Sequence, residues 1–352
     1  MTKSKTTMRD IAAAADVSVT TVWMVIHDKP GISLGTAEKV WSAINALNYQ
    51  PRKVENSSQL DTVALLIEQS TIPVISDVFY GDVIRGVQSE ARRQGMRVVL
   101  SVFDRNKRGF DLNGLTHNVC GVVVANDGDL PPQTVLQLTA RNVPVILIES
   151  YIAGHAFPCV VGDNFIAGHQ ITRHILNLGH REIAVLKGPA KYSSLVDRLR
   201  GCMAAMAEEF LLFPAEWMPE PMSGHPLKGY VQMQEILAQK RRPTAVIAIS
   251  DKTAIGAMEA IREAGLRIPE DIAIASIDNT HESQFTRPAL TTVHIPKYEI
   301  GVLAMQKLNR IITGEELNAT KSVVYSELVV RDSCGAPHQT PSDGEPTGNA
   351  AQ

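Results

Sequence analysis

The sequence predicts an α/β protein with a small all-α head at the N-terminus and a core of two doubly wound parallel-sheet lobes. Three observations lead to this fold class. Residues 7–49 hold three apolar stretches at helical spacing, divided by one short turn and one Lys-Pro-Gly break. From residue 63 onward, short Val/Ile/Leu-rich runs alternate with amphipathic stretches, a pattern typical of parallel sheets covered on both faces. This region is longer than one such sheet needs, so two lobes with a cleft between them are expected.

The head is expected to begin its first helix after Thr7, which has capping-box spacing to Asp10. Ser18 follows a turn and can cap a second helix, from Val19 to about His27, and Ser33 can cap a third. The apolar positions of these two helices are Val22, Val25, Ile26, Val40, Ile44 and Leu47. Two short helices joined by a tight turn form a helix-turn-helix that fits a DNA major groove. The alternative is a helical subdomain that binds no nucleic acid.

The core is expected to repeat strand and helix along its whole length. The predicted strands are residues 63–67, 96–102, 121–125, 143–149, 159–163, 182–188, 245–250 and 272–278. The predicted helices cover about 81–94, 132–141, 166–178, 196–209, 227–238, 253–264 and 299–313. Ligands of such sheets bind at the carboxyl ends of the strands, so a cleft site is expected there.

Composition shifts divide the chain into four parts. Residues 1–49 form the head, and residues 50–61 form a polar hinge without hydrophobic periodicity. Residues 62–334 form the core. Residues 335–352 are rich in Pro, Gly and small polar residues, which predicts a disordered tail.

Charge and cysteine content restrict the class of protein. The net charge of -3 over 352 residues argues against a chain that coats nucleic acid by bulk electrostatics, so DNA binding has to be local. The four cysteines form no C-x-x-C pair, which indicates neither a zinc module nor a disulfide framework. No signal peptide or membrane-length apolar run is present. We therefore expect a cytoplasmic protein with no membrane partner.

No catalytic constellation is found in the sequence. The stretch from Gly188 to Lys191 lacks the second glycine and the Lys-Ser/Thr ending of a phosphate loop. The histidines at 169, 174 and 180 do not have the spacing of a helical zinc pair. Neither G-x-S-x-G nor a G-x-G-x-x-G after a strand occurs. The sequence therefore predicts no enzyme, no metal site and no cofactor.

Five motifs of this sequence are distinctive when taken together. They are MRDIAAAADVSVTTV in the head, NVPVILIE at 142–149, VVGDNFIAG at 160–168, RLRG at 198–201 and RPALTTVHIPKYEIG at 287–301. Together they resemble the lactose-repressor/galactose-repressor (LacI/GalR) family of transcription regulators. The resemblance implies a homodimer that binds operator DNA and a periplasmic-binding-protein-like core that holds a small-molecule effector, most commonly a sugar. It also implies three chain crossings between lobes, near Asp163, Thr292 and Val323. Lobe one would comprise about 62–160 plus 293–322, and lobe two about 161–292 plus 323–334.

The resemblance also implies which residues contact DNA. Thr7, Ser18, Thr21 and His27 fall at phosphate positions, and Met8, Val19, Thr20 and Met24 fall at or near base edges. Trp23-Met24 replaces the family's Ser-Arg, so a bidentate guanine contact is lost, and Trp23 is open to either a packing or a DNA-facing role. In the hinge region, the implied contacts are Tyr49, Arg52, Lys53 and Leu60, where Leu60 would be a displaced minor-groove wedge.

The implied effector residues are Phe79, Glu149, Arg198, Ser250 and Asp278. An Arg fork and acidic acceptors suit paired hydroxyls or a carboxylate, and Phe79 offers a ring face. The alternatives are a surface salt bridge for Arg198 and a local strand-end role for Asp278. Ser250 replaces the family's Asn, which leaves nucleobases and phosphorylated metabolites open as effectors. The alternative function is a cytoplasmic small-molecule-binding protein whose head is degenerate and regulates nothing.

Overall fold

The computed structural model describes residues 6–26, 32–47, 49, 61–68, 80–103, 115, 118–125, 132–221 and 228–335. The chain divides into two compact units, Met1–Gln59 and Leu60–Gln352. The boundary falls within the expected hinge, of which only Asp61 lies in the described residues. The expected tail also lies outside them, apart from Gly335.

The head contains the expected three helices: α1 (Met8–Ala15), α2 (Val19–Ile26) and α3 (Leu34–Ala46). They enclose a small core because one face of each helix is apolar. Its buried members are Ile11, Ala12, Ala15, Val22, Val25, Val40, Ala43 and Ile44. Leu47 departs from the expectation: it follows the end of α3 and is 37% exposed.

Short side chains set the ends of the head helices. Ser18 Oγ accepts a hydrogen bond from the Thr21 backbone N–H at 2.9 Å, and Ser33 Oγ accepts one from the Thr36 N–H at 3.2 Å, as predicted. Thr7 and Asp10 form the predicted capping box, in which the Asp10 carboxylate accepts the Thr7 backbone N–H at 2.7 Å and the Thr7 hydroxyl at 2.8 Å. Asp16 ends α1 in the left-handed region, at φ 53°.

The core alternates strands and helices nearly as predicted. In chain order its elements are β1 (Thr62–Glu68), α4 (Tyr80–Arg93), β2 (Arg97–Phe103), β3 (Gly121–Ala125), α5 (Pro132–Ala140), β4 (Val145–Ile148), β5 (Cys159–Gly162), α6 (Asn164–Asn177), β6 (Ile183–Leu186), α7 (Ser193–Glu208), α8 (Lys228–Leu237), β7 (Ala245–Ala248), α9 (Asp251–Glu263), β8 (Ala273–Asp278), β9 (Thr291–His294), α10 (Lys297–Thr313), β10 (Lys321–Val324) and β11 (Glu327–Val329). Single 3-10 turns occupy Ala215–Trp217 and His281–Gln284.

The described strands form two sheets. The first has the order β10-β5-β4-β3-β1-β2, and all its pairs are parallel. The second has the order β11-β9-β8-β7-β6. Its pairs are parallel except the edge pair, in which β11 runs antiparallel to β9. The predicted fold class, two lobes built on parallel sheets, is therefore confirmed, with one antiparallel pair at the edge of the second sheet.

Helices cover both faces of each sheet, as a doubly wound fold requires. Along β1, Val63, Leu65 and Ile67 pack with residues of α4 and α10, whereas Ala64 and Leu66 pack with α5. In the second sheet, alternate residues of β6 pack with α6 and α7 on one side and with α8 and α9 on the other. Each fully buried Val, Leu or Ile contributes about 1.5–3 kcal/mol, so these layers supply most of the stability of the core.

The chain crosses between the sheets at three described places. The first crossing is at Asp163, between β5 and α6, as expected. Thr292, however, lies inside β9 of the second sheet, so that crossing follows His294. Val323 lies inside β10 of the first sheet, so the third crossing follows Val324. The expected lobe limits therefore change: residues 161, 162, 323 and 324 belong to the first sheet, and residues 293 and 294 to the second.

Glycines bring neighbouring helices into backbone contact. A Cβ on Gly168 of α6 would lie 2.0 Å from the Arg198 carbonyl oxygen of α7, and one on Gly201 of α7 would lie 2.0 Å from the Phe165 carbonyl oxygen. The same arrangement joins α4 to α10, through Gly86 and Gly301, and α8 to α9, through Gly229. These helix pairs therefore approach more closely than any side chain at the contact would permit.

Candidate functional site

The first turn of α2 presents polar and apolar side chains outward. Val19 is 42% exposed and Trp23 is 41% exposed. They lie four residues apart and therefore on one face of the helix. Thr20 is also exposed, while Thr21 and Met24 are half-buried. Trp23 consequently does not belong to the buried core of the head, which leaves its large ring on the face that carries the predicted base-reading residues.

The other predicted DNA contacts are placed differently. Ser18 and Thr7 are exposed at helix starts, with their hydroxyls bonded to Thr21 and Asp10. Met8 and Tyr49 are partly buried against the head core. His27, Arg52, Lys53 and Leu60 lie outside the described residues.

In the core, three of the predicted effector residues belong to one chain of polar contacts. Arg198 of α7 donates from Nε to Asn164 Oδ1 at 2.8 Å, and its Nη1 lies 2.8 Å from Asp278 Oδ1 at the end of β8. Asn164 in turn donates from Nδ2 to Glu149 Oε2 at 3.1 Å, just after β4. This chain of polar contacts therefore runs from the carboxyl end of a strand in the first sheet to the carboxyl end of a strand in the second sheet.

These side chains are held by burial and further bonds. Arg198 is 2% exposed and also donates from Nη1 to the Ile249 carbonyl oxygen at 2.8 Å. Glu149 Oε1 accepts the Gly162 backbone N–H, at the last residue before the first crossing. A surface salt bridge, the alternative considered for Arg198, is therefore wrong. Its Nε and Nη1 groups bond within the protein, which limits what the fork can offer a ligand.

The backbone is strained at the two residues that end this chain of polar contacts, Glu149 and Asp278. Glu149 has φ 54° and Asp278 has φ 137°, and Asn279, the residue after Asp278, has φ 50°. Such conformations cost about 1–3 kcal/mol each in non-glycine residues and persist where the surroundings hold them. Asn279 is held by Arg331, which donates from Nη2 to its Oδ1 at 2.6 Å. Strain of this kind concentrates at binding sites.

Burial and nearby cations act in opposite directions on the Asp278 carboxyl. Burial raises the pKa of the Asp278 carboxyl, and the nearby Arg198 and Lys297 oppose this shift. Lys297 also donates to the Asp278 carbonyl oxygen from the start of α10. Because the ion pair with Arg198 keeps the carboxylate charged against the cost of burial, each partner depends on the other.

Ser250 has a structural role in addition to its position at the end of β7. It caps α9, because Oγ accepts from the Thr253 N–H at 3.4 Å and lies 2.8 Å from Thr253 Oγ1. We expect Ser250→Ala to lower the free energy of unfolding by about 1 kcal/mol, measured by urea denaturation, and Ser250→Asn to keep most of the stability. Equal stabilities for the two variants would contradict the capping role.

The rim of the strand ends also connects the lobes. Tyr151, in the loop after β4, donates from its hydroxyl to Asp197 of α7, 3.1 Å from Oδ2. The Lys321 ammonium lies 4.2 Å from the centroid of the Tyr151 ring. Phe79, the predicted aromatic face of the site, lies outside the described residues.

Sequence reasoning missed Asn164, Tyr151 and Lys228. Asn164 had a usable signal, because it is a polar residue in the first helical turn after a buried strand, at the expected first crossing. Tyr151 lies two residues beyond Glu149, in a loop whose path the sequence did not indicate. Lys228 opens α8, and its pKa is lowered mainly by burial, which no sequence pattern indicates.

The described residues contain no group of three or more His, Cys, Asp or Glu side chains placed to hold a metal ion. No helix among them is long and apolar enough to cross a membrane.

Comparison with known proteins gives consistent results at both ends of the chain. A model of the lacI family of bacterial regulatory proteins matches residues 7–52. A model of the periplasmic binding protein-like domain matches residues 172–334. The HTH-type transcriptional repressor PurR of Proteus mirabilis is 32% identical over 334 residues, covering 93% of this chain and 96% of the relative. The PurR of Salmonella typhi is 31% identical over the same length.

Solved structures of similar proteins point to the same family as these relatives. A complex of the transcriptional regulator CelR with cellobiose has a TM-score of 0.71 at 27% identity, covering 94% of this chain and 100% of that one. The lac repressor dimer bound to operator and the anti-inducer ONPF has a TM-score of 0.69 at 25% identity, covering 95% and 100%. Family models, full-length relatives and solved structures therefore agree that this chain belongs to the LacI family of bacterial regulatory proteins.

Proposed function

We propose that this chain is a sequence-specific DNA-binding transcriptional repressor whose affinity for operator DNA is changed by a small, sugar-like effector bound between the core lobes. The head would contact DNA, and the core would bind the effector and a second copy of the chain. The protein would act in the cytoplasm, by binding rather than by catalysis. Relatives named as repressors support the sign of the regulation.

The observation that carries this proposal is the polar chain from Glu149 through Asn164 and Arg198 to Asp278. It is buried, it contains charges of both signs, and it joins strand ends of the two sheets. A ligand that bonds to its members contacts both lobes at once. Such a ligand favours one angle between the lobes by the difference in its contacts with the two arrangements.

The proposed switch couples that angle to the DNA-binding surface. In a dimer, a changed angle between the lobes moves the two N-terminal lobes relative to each other and alters the spacing of the attached heads. A pseudo-palindromic operator is sensitive to this spacing because its half-sites lie a fixed number of turns apart. Effector and operator affinity are thereby linked, and each changes the other by the same factor.

A homodimer is supported by the exposed edge of the first sheet. The edge strand β2 presents Val99, Leu100 and Val102 with 53%, 39% and 45% of their surfaces exposed. An apolar edge strand left open to water invites pairing with other chains. The family resemblance implies a homodimer, and we propose that the second copy covers this edge.

The predicted reading face of α2 gives the test of DNA binding. Thr20→Ala is expected to weaken binding to the protein's own upstream DNA by about 1 kcal/mol, at the lower end of the range for a base contact, with little change for unrelated DNA. Asn45→Ala, an exposed position on α3, is the matched control. Gel retardation against salt concentration measures both, and the stoichiometry should be two chains per duplex.

The same experiment tests the alternative function. A small-molecule-binding protein with a degenerate head would retard no fragment sequence-selectively, even at low salt. The proposal requires selective retardation that weakens as the salt concentration rises, because phosphate contacts release counterions.

A further inference from the structure

Among the described residues, two lysines at the starts of α8 and α9 form no ion pair with a carboxylate. Lys228 is the first residue of α8, and Lys252 lies in the first turn of α9. Within the part of the chain that the structure describes, neither forms a hydrogen bond or an ion pair with another residue. Residues 222–227, which precede Lys228, have the sequence MSGHPL and contain no carboxylate. Within the described ranges, neither ammonium group is therefore paired with a carboxylate.

Backbone contact brings these lysines together. A Cβ on Gly229 would lie 2.0 Å from the Thr253 carbonyl oxygen, so the starts of α8 and α9 touch. Lys228 immediately precedes Gly229, and Lys252 immediately precedes Thr253. Both lysines are therefore fixed at one junction, where each helix also presents its positive N-terminal end.

The orientation of α8 directs Lys228 toward the strand ends. Gln232 lies one turn further along the same helix, on the same face. It is fully buried and donates from Nε2 to the Lys187 carbonyl oxygen at 3.0 Å, just beyond the carboxyl end of β6. Lys228 thus begins the face of α8 that faces the carboxyl edge of the second sheet, where the polar chain ends at Asp278.

The charges around Lys228 do not balance. Burial lowers the pKa of its ammonium, and the neighbouring Lys252 and Arg198 lower it further, while Asp278 alone opposes them. That carboxylate is already paired with Arg198 at 2.8 Å. A partly buried cation beside other cations lowers the stability of the fold. Such an arrangement is retained where a ligand supplies the missing negative charge.

We infer that the effector carries an anionic group, a phosphate or a carboxylate, which Lys228 binds beside Lys252 at the second-lobe side of the cleft. The inference rests on the proposed function and narrows the effector from a neutral sugar to a phosphorylated or acidic small molecule. Arg198 has an unused donor for the same ligand, because its Nη2 bonds to none of the described residues. Lys228 acts as the specificity-determining residue.

The test compares full-length wild-type protein with Lys228→Met and with Lys240→Met, an exposed lysine beyond the end of α8. The probes are inorganic phosphate and matched pairs: glucose with glucose 6-phosphate, ribose with ribose 5-phosphate, and galactose with galacturonate. Thermal shift identifies the binders, and calorimetry gives their affinities. We expect an anionic member to bind wild type and Lys240→Met alike, and Lys228→Met about tenfold or more weakly. The two sugar phosphates and galacturonate together show whether the site binds a phosphate or a carboxylate.

A second readout needs no ligand. Without any probe, Lys228→Met should unfold at the same or a higher temperature than wild type, because the unneutralised charge is removed. Wild type that no anion stabilises, or an anion that binds Lys228→Met as tightly as wild type, would overturn the inference. A neutral compound that binds and releases operator DNA would overturn it too, yet would leave the proposed function standing. If wild type, Lys228→Met and Lys240→Met all failed to bind DNA selectively, the proposed function would be rejected instead.

Discussion

Arg198→Ala is expected to lower the free energy of unfolding of the core by about 3–5 kcal/mol and to abolish the response of operator binding to effector. The loss of stability follows because the guanidinium bonds to Asn164, the Ile249 carbonyl oxygen and Asp278, all in a buried environment. Its removal leaves the Asp278 carboxylate buried without a cation at 2.8 Å. Urea denaturation of the full-length protein measures the stability of the core.

Arg200→Ala is the matched control, on the same helix. Arg200 lies 3.4 Å from Asp197 with 67% of its side chain exposed, so its ion pair should contribute less than about 1 kcal/mol. Adding Asp278→Asn to Arg198→Ala should recover part of the lost stability, because no unpaired buried charge then remains. Full stability and unchanged induction in Arg198→Ala would reject the assignment of the cleft.

The same variant should show a characteristic pH dependence. Burial raises the pKa of Asp278 above its ordinary value of 3.8, and without Arg198 the pKa should rise further. Between the ordinary and the raised pKa, the folded state binds more protons than the unfolded state, so stability falls as the pH rises. The difference in the free energy of unfolding between wild type and Arg198→Ala should therefore shrink as the pH is lowered toward the ordinary pKa of an Asp carboxyl.

Gly168→Ala is expected to destabilise the core by about 1–3 kcal/mol or more, despite alanine's better helix propensity of about 1 kcal/mol. The added methyl group would lie 2.0 Å from the Arg198 carbonyl oxygen, a backbone atom that cannot move without displacing α7. Because that helix carries Arg198, we also expect weaker effector binding in this variant. Urea denaturation measures the stability and calorimetry the affinity.

Gly35→Ala provides the comparison for Gly168→Ala. Gly35 lies in α3, and a Cβ there would meet no atom within 4 Å, so only the propensity gain remains. The head should accordingly be as stable as in wild type or slightly more stable. If both glycine variants changed stability by the same amount, close helix contact would not explain the result.

Much of the architecture could be predicted because hydrophobic periodicity reports it directly. The buried strands β3 and β8 and the amphipathic helices between the strands follow from local sequence. The caps at Ser18 and Ser33 follow from side-chain chemistry. In contrast, β10 and β11 are half-exposed strands of four and three residues, which carry too short a pattern. Their pairing depends on distant strands, so the limits of the lobes could not be read correctly.

The candidate effector site could be predicted only in part for a related reason. Family motifs carried Glu149, Arg198 and Asp278, and the structure joins these residues. The link between them is Asn164, whose position is fixed only when β5 and α6 meet. Lys228 is notable because burial and the neighbouring Lys252 lower the pKa of its ammonium, which is a property of its surroundings rather than of its neighbours in sequence.

The glycine contacts between α4 and α10, α6 and α7, and α8 and α9 have a mechanical consequence. Helices whose backbones touch cannot slide past one another without a collision of main-chain atoms. Shear within a lobe is thereby suppressed, and each lobe should move as a rigid body. A change in the angle between the lobes must then arise from backbone rotation at Asp163, at Ile295–Pro296 and at Tyr325–Ser326, which would serve as the pivots of the regulator.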